Sequence, residues 1–353
     1  MNTISKITTA ESVTAGHPDK VCDQISDAVL DALLEKDPQS RVAVESFGSH
    51  GLVVIGGEVT SSAKVDFADI ARRTYRDIGY CDKPKMVVNV RAQSPDIAVG
   101  VDTGGAGDQG IMYGYATDET PEFLPPVVVL AHKLTRGLED LRRNNPDFEW
   151  LEPDGKAQIT MDGPVAKSVL VSCQHKEEID IKELREAIRE KLILPIVGEG
   201  DYDVLINLTG KFVQGGFDAD TGLTGRKIMV DTYGGIIPHG GGCFSGKDPT
   251  KVDRSAAYMA RFAAKNIVAN GYAKKCLVSV AYAIGKKEPL MLEAETFGTG
   301  NTDMAREILG TYFNFAPLRI IKALDLRRPI YLQTAAYGHF GKPDLPWEKI
   351  VKL

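Results

Sequence analysis

The sequence predicts an α+β protein of three similar domains, each a mixed sheet with helices on one face. Three observations lead there. The chain has 353 residues, 43% hydrophobic and 25% charged, an ordinary globular composition with enough length for two or three cores. Its hydrophobic spacing switches between helical and strand periods in one recurring order: helix, strand, strand, helix, strand. Gly-rich stretches near 102–110 and 215–225 separate the recurrences, as linkers do. The implied domains are 1–101, 102–214 and 215–353.

In the first domain Val21, Ile25, Ala28, Val29 and Leu33 recur at helical spacing from Pro18, and Asp37-Pro38 stops the helix. Two β-rich runs, 41–47 and 52–60, flank Ser49-His50-Gly51 and read as a hairpin. An amphipathic helix over 65–78 and a strand over 86–91 follow. The second domain repeats the order with a helix over 123–143, strands 156–161 and 165–172, a charged helix 181–192 and a strand 203–208. The third begins with a helix over 250–269, continues with strands 276–283 and 289–296, and adds a helix 302–313. No closing strand is evident for it.

A net charge of -6 and a pI near 5.6 exclude a broad nucleic-acid surface, because phosphate backbones require a basic field. Cys22, Cys81, Cys173, Cys243 and Cys276 are odd in number, widely spaced and free of a C-x-x-C pair, which points to a reducing, cytoplasmic setting. The residues from Met1 to Lys6 lack an apolar signal core. The longest apolar run, Val127-Val128-Val129-Leu130-Ala131, is far too short to span a membrane.

Four loop-like segments concentrate Gly, His and charge: 16–20, 105–110, 222–227 and 239–253. His17 and Asp19 open the first helix, where free N–H groups and the helix dipole attract phosphate; Asp19 could hold a phosphate-bound Mg²⁺ or simply cap the helix. In the last segment Gly241, Gly246 and Lys247 fit the glycine and lysine positions of a P-loop. Asp248, however, stands where the Mg²⁺-binding Ser or Thr belongs, and the nearest strand candidate, 228–230, ends well upstream. Lys251 and Asp253 lie a helical turn further on.

Together these segments resemble the methionine adenosyltransferases, or S-adenosylmethionine synthetases. The resemblance spans nearly the whole chain. It rests on Glu11-Ser12-Val13-Thr14-Ala15-Gly16-His17-Pro18-Asp19-Lys20, on 105–110, on 222–227 running into Val230-Asp231-Thr232-Tyr233-Gly234-Gly235, on 240–255, and on Thr334-Ala335-Ala336-Tyr337-Gly338-His339-Phe340-Gly341. It implies three domains related by pseudo-threefold symmetry and active sites between paired subunits, in a homodimer or a homotetramer. It also implies that methionine sulfur displaces triphosphate from C5′ of ATP and that the same site then hydrolyses the triphosphate to pyrophosphate and phosphate. A thioether is already nucleophilic, so aligning the reactants and stabilising the departing polyanion dominate the barrier.

Carried over by position, the resemblance makes His17, Lys156, Arg226, Lys227, Lys247 and Lys251 the cationic groups of catalysis. ATP contacts fall to His17, Asp154, Lys156, Lys211, Phe212, Asp220, Arg226, Lys227, Cys243 and Lys247, with Phe212 stacked on adenine. Methionine contacts fall to Glu58, Gln93, Asp108, Asp220 and Lys251. Asp19 and Asp253 become Mg²⁺ ligands, two ions per site, and Glu45 a K⁺ ligand. Taken singly, Glu45, Glu58 and Gln93 would pass as ordinary surface polars, and Phe212 as core. The chain departs from many members in a short stretch between Asp102 and Gly107, where they carry a longer loop over the site, and in Lys211, where Arg is common. Two rivals remain: a P-loop-like NTPase or kinase, and a non-catalytic nucleotide-binding relative.

Overall fold

The structure, a computed structural model, describes residues 7–92 and 105–353. Gln93 lies outside the described residues. The first repeat contains α1 (Pro18–Lys36), β2 (Arg41–Ser49), β3 (Leu52–Thr60), α2 (Phe67–Ile78) and β4 (Lys85–Arg91), preceded by β1 (Ile7–Val13). The second contains β5 (Gly110–Thr117), α3 (Pro126–Asn144), β6 (Leu151–Asp162), β7 (Val165–His175), α4 (Ile181–Ile188), α5 (Leu194–Val197) and β8 (Asp203–Ile206). The third contains β9 (Gly222–Leu223), α6 (Ile228–Asp231), α7 (Val252–Ala269), β10 (Lys275–Tyr282), β11 (Met291–Glu295), α8 (Thr302–Tyr312) and α9 (Pro317–Ala323).

Local chemistry explains most of these limits. Pro18 starts α1 and His17 caps it. Asp66, Asp180 and Asn301 cap α2, α4 and α8, each accepting a hydrogen bond from a first-turn N–H. The charged helix expected over 181–192 keeps α geometry only to Ile188 and then widens into a π turn, Arg189–Ile193. Pro195 is the cause: without an N–H it cannot continue the ladder to Lys191. The 228–230 segment, expected as a strand, is instead part of α6, a single helical turn. After α8 the chain turns into α9, and among the described residues no strand closes the third sheet.

Each sheet is built on one pattern. The two strands of a repeat pair antiparallel, β2 with β3, β6 with β7 and β10 with β11. The closing strand, where present, lies parallel beside the second, β4 on β3 and β8 on β7. The remaining edge is filled by a strand from another repeat: β1 pairs with β6, β5 with β10 and β9 with β2, all antiparallel. Each repeat therefore sends its leading strand into the sheet of the next, and the third returns one to the first. This cyclic exchange of hydrogen-bonded edge strands relates the three repeats to one another.

The helices cover one face of each sheet. In β2 the residues Val42, Val44, Ser46 and Gly48 face inward and are buried, while Arg41, Ala43, Glu45, Phe47 and Ser49 face outward. In β6, Ala157, Ile159 and Met161 are buried, whereas Lys156 and Gln158 are exposed. The core forms two clusters. One joins the first and third repeats continuously, from Ile25 and Val44 to Tyr258 and Trp347. The other holds the second repeat and Ala10 of β1, with Leu134, Ile159 and Val171 at its centre.

Candidate active site

Helix α1 organises the site. Asp19, Asp23, Asp27 and Asp31 recur every four residues and so lie along one face of the helix. Each accepts backbone N–H groups from the third repeat. Asp19 Oδ1 takes Leu223 N at 2.9 Å, Asp23 Oδ1 takes Gly225 N at 2.8 Å, and Asp27 Oδ1 takes Gly246 N at 2.8 Å. Asp31 takes Leu332 N at 2.8 Å and Tyr331 N at 3.0 Å. One rigid helix thus fixes two cation-bearing loops, 222–227 and 244–248. Burial raises the Asp31 carboxyl to about 7.

Buried counter-charges hold this face. Lys20 lies wholly inside, donates to Asp231 Oδ1 at 2.5 Å and forms an ion pair with Asp23 Oδ2 at 2.9 Å. Burial opposes its charge, and the two carboxylates overcome that, holding the ammonium above its ordinary range. Burial in turn pushes Asp23 and Asp231 upward. Arg254 forks onto both oxygens of Asp27 at 2.7 and 2.8 Å and donates to the carbonyls of Phe244 and Lys247.

At the start of α1, His17 accepts a hydrogen bond from Asp19 N on Nδ1 at 3.2 Å, so its proton resides on Nε2. Burial, with Lys227 and Lys156 nearby, lowers its pKa to about 2. It is a neutral donor. Asp19 Oδ2 receives Lys227 Nζ at 2.6 Å, and Arg226 Nε stands 3.5 Å from Oδ1. Lys156, exposed on β6, and Asp220, exposed in its own turn, act on His17 through their charges. Asp154, whose charge Lys156 also favours, accepts Gly216 N on Oδ2 at 2.9 Å and keeps Oδ1 buried with no hydrogen-bond partner among the described residues. Burial raises its pKa to about 6.

The second cluster lies on the 242–253 loop, which runs along β2: Gly246 O accepts from Val44 N, and Asp248 N donates to Val42 O. Lys247 Nζ bonds Asp253 Oδ2 at 2.7 Å, and Lys251 Nζ bonds Asp248 Oδ1 at 2.5 Å. Burial works against the Lys247 charge, and Cys243 and Asp253 beside it overcome that, holding the ammonium above its usual value. Burial pushes the Cys243 thiol upward. Glycine is required here. A Cβ on Gly242 would sit 2.3 Å from Asp253 Oδ1, and one on Gly225, at φ +82, would sit 2.6 Å from Cys243 Cβ.

Asp248 is buried and accepts Val42 N and Thr250 N as well as Lys251. It is committed to the fold, and the P-loop rival loses both its hydroxyl position and its preceding strand. Residues 5–102, 103–212 and 214–349 match the S-adenosylmethionine synthetase N-terminal, central and C-terminal domains. The chain belongs to the S-adenosylmethionine synthetase family. The S-adenosylmethionine synthase of Desulforudis audaxviator is 52% identical over 98% of this chain and 96% of its own. That of Thermus thermophilus is 49% identical over 98% and 96%, and that of Mesoplasma florum 48% over 99% and 98%. As a member of the family the protein is a transferase that forms S-adenosylmethionine from ATP and methionine.

The remaining expected residues distribute over three places. Glu45 and Glu58 share the helix-free face of the first sheet, Glu58 lying opposite Ala43 and Glu45 opposite Gly56. Asp108 is exposed and bonds the N–H of Gln109 just before β5, whose Gly110 abuts Asp253. Phe212 is half-buried, its carbonyl accepting from His175 N and its N–H donating to the His175 ring Nε2, and Lys211 is exposed and paired with Glu177 at 2.9 Å. Of the α1 aspartates only Asp19 stood out in the sequence; Asp23, Asp27 and Asp31, and the role of Lys20, did not. The available signal was their spacing of four in a helix that otherwise reads as apolar on its buried face.

Proposed function

We propose that two carboxylate–ammonium pairs, Asp19–Lys227 and Asp253–Lys247, form the anion-handling core of the transfer reaction, and that methionine sulfur displaces triphosphate from C5′ of ATP between them. The observation that carries this reading is the pairing itself: each carboxylate is engaged by a lysine at 2.6 to 2.7 Å, on loops held by one helix. Polyphosphate entering such a site meets cations already positioned, which costs little reorganisation. Neutral His17 donates from Nε2 to the leaving oxygen, and Lys156, Arg226 and Lys251 add positive charge. Hydrolysis of the bound triphosphate to pyrophosphate and phosphate follows from the same charge arrangement. Asp154, Lys211, Phe212, Asp220 and Cys243 contact ATP, and Glu58, Gln93, Asp108, Asp220 and Lys251 contact methionine.

The donor set fits magnesium. Asp19 and Asp253 supply hard oxygens beside a polyphosphate site, and this ion needs only one or two carboxylates when phosphate oxygens complete its shell. When bound, the ions neutralise charge on the triphosphate. Glu45, outward on β2, is the K⁺ ligand in this reading.

The active unit in this reading is a homodimer with sites at the interface, with a homotetramer as a further assembly. Its support is the open face of the first sheet, where Phe47 and Val87 are 37% and 36% exposed on the same side as Glu45 and Glu58. Domains 1–101, 102–214 and 215–353 and a cytoplasmic location belong to the same proposal; among the described residues no helix is long and apolar enough to cross a membrane. One experiment tests the chemistry: incubation with ATP, methionine, Mg²⁺ and K⁺, with S-adenosylmethionine, pyrophosphate and phosphate quantified. Equal amounts of the three are expected. Release of intact triphosphate would overturn the hydrolytic step, and full activity in EDTA would overturn the metal sites.

A further inference from the structure

A cavity of about 100 Å³ lies between α3 and the segment 337–342, and no residue assigned above lines it. Two cations face it without an acidic partner. Lys342 donates to the carbonyls of Gln333 at 2.6 Å and Ala336 at 2.7 Å. Among the described residues no carboxylate pairs with it, and burial, with Arg136 and Lys20 nearby, lowers its pKa to about 7. Arg136 lies 5.5 Å from the centre of the Tyr337 ring and makes no ion pair or hydrogen bond among the described residues. Glu122 lines the same cavity, its Oε1 pairing with Lys133 at 3.2 Å, while its Oε2 is buried with no hydrogen-bond partner among the described residues.

Unpaired cations alone would accept any small anion. The orphaned Glu122 oxygen adds a condition, because a carboxylate oxygen only accepts. It repels a fully deprotonated oxyanion and welcomes one that still carries a hydroxyl. Hydrogen phosphate meets both demands: its charged oxygens face Lys342 and Arg136, and its P–OH donates to Glu122. Sulfate has no proton to give at neutral pH. The cavity's volume admits one phosphate group and no nucleotide.

We propose that Arg136, Lys342 and Glu122 form a phosphate site, separate from the transfer site, that takes a protonated phosphate group and rejects sulfate. Its occupancy bears on the turn before His17, since the Tyr337 hydroxyl under Arg136 accepts a hydrogen bond from Ala15 N at 3.1 Å and donates to the Glu139 carboxylate. The inference does not depend on the roles proposed for the active-site residues.

Trace acetylation of the intact protein at pH 7, with the Lys342 peptide quantified by mass spectrometry, reads this pocket locally and is blind to phosphate bound elsewhere. Inorganic phosphate is expected to slow Lys342 acetylation at least five-fold relative to NaCl of equal ionic strength, and sulfate to leave it unchanged. Arg136→Gln, an exposed change that the fold tolerates, should abolish the protection. Glu122→Gln supplies an N–H donor and should let sulfate protect. Phenyl phosphate protecting as well as inorganic phosphate would assign the site to a monoester terminus, and phosphate alone would assign it to the free ion. Labelling unaffected by phosphate, or equal protection by sulfate in the unmodified protein, would overturn the proposal.

Discussion

Lys227 Nζ and Asp19 Oδ2 stand 2.6 Å apart across the gap between α1 and the 222–227 loop, and Lys247 Nζ and Asp253 Oδ2 repeat the relation at 2.7 Å. Both lysines sit one or two residues from a backbone N–H that an α1 aspartate holds, so ladder and charge pairs act as one device. The ladder sets position, and the pairs present charge.

Lys247→Ala and Asp253→Ala each remove one member of a half-buried pair at the edge of the core. Turnover is expected to fall by roughly 10² to 10³, while the melting temperature stays within a few degrees. Steady-state rates alongside thermal unfolding check this, and near-normal turnover in both variants would sink the site assignment.

Lys20→Met leaves Asp23 and Asp231 buried without their ammonium. The expected cost is about 3 to 5 kcal/mol above pH 7. It should shrink toward pH 5. Both carboxyls already sit above the ordinary 3.8 in the fold, and losing Lys20 raises them further. The native state then binds more protons than the unfolded chain above pH 4, and stability falls as pH rises. Urea titrations of both proteins at pH 5 and 8 measure the difference; a cost that grows toward low pH would contradict it.

His17 titrates in the opposite sense. Its folded pKa of about 2 lies below the unfolded 6.5, so below pH 6.5 the unfolded chain takes up a proton that the native state refuses. The stabilisation His17 gives relative to His17→Asn, which keeps a capping side chain, should be constant above pH 6.5. It should be about 2 kcal/mol smaller at pH 5. Paired denaturation curves at pH 5, 6.5 and 8 test the sign. The acid limb of the rate profile should likewise show no step from His17 between pH 5 and 8.

Gly114 lies where β5 crosses α7. An added Cβ would come within 2.0 Å of Ala260 C and 2.1 Å of Arg261 N, backbone atoms that cannot step aside. Gly114→Ala should cost about 1 to 3 kcal/mol. A melting temperature equal to that of the unmodified protein would mean that sheet and helix can separate without loss.

Much of this was legible in the chain. Repeat order came through because hydrophobic period is local: the spacing of Val21, Ile25 and Leu33 marks α1 before any partner is known, and Pro18 and Asp37-Pro38 mark its ends. The charged loops were legible because glycine, histidine and lysine concentrate there. Asp23, Asp27 and Asp31 were not, since an Asp in a helix usually means a solvated face, and only contact with the backbone at 225, 246 and 331–332 makes these three an interior feature. Strands β1 and β5 were missed as well, one lying in the opening motif and the other beside a glycine loop.

By itself the sequence determined most of the elements, their threefold recurrence and the family to which the chain belongs. Tertiary structure alone decided which sheet each leading strand joins. β1, β5 and β9 all pair outside their own repeat, because a strand edge is satisfied by any backbone that reaches it in register, and no local pattern names the partner. The same holds at the site. Residue types set what Asp19 and Lys227 can do, and long-range packing of α1 against the third repeat set that they do it together.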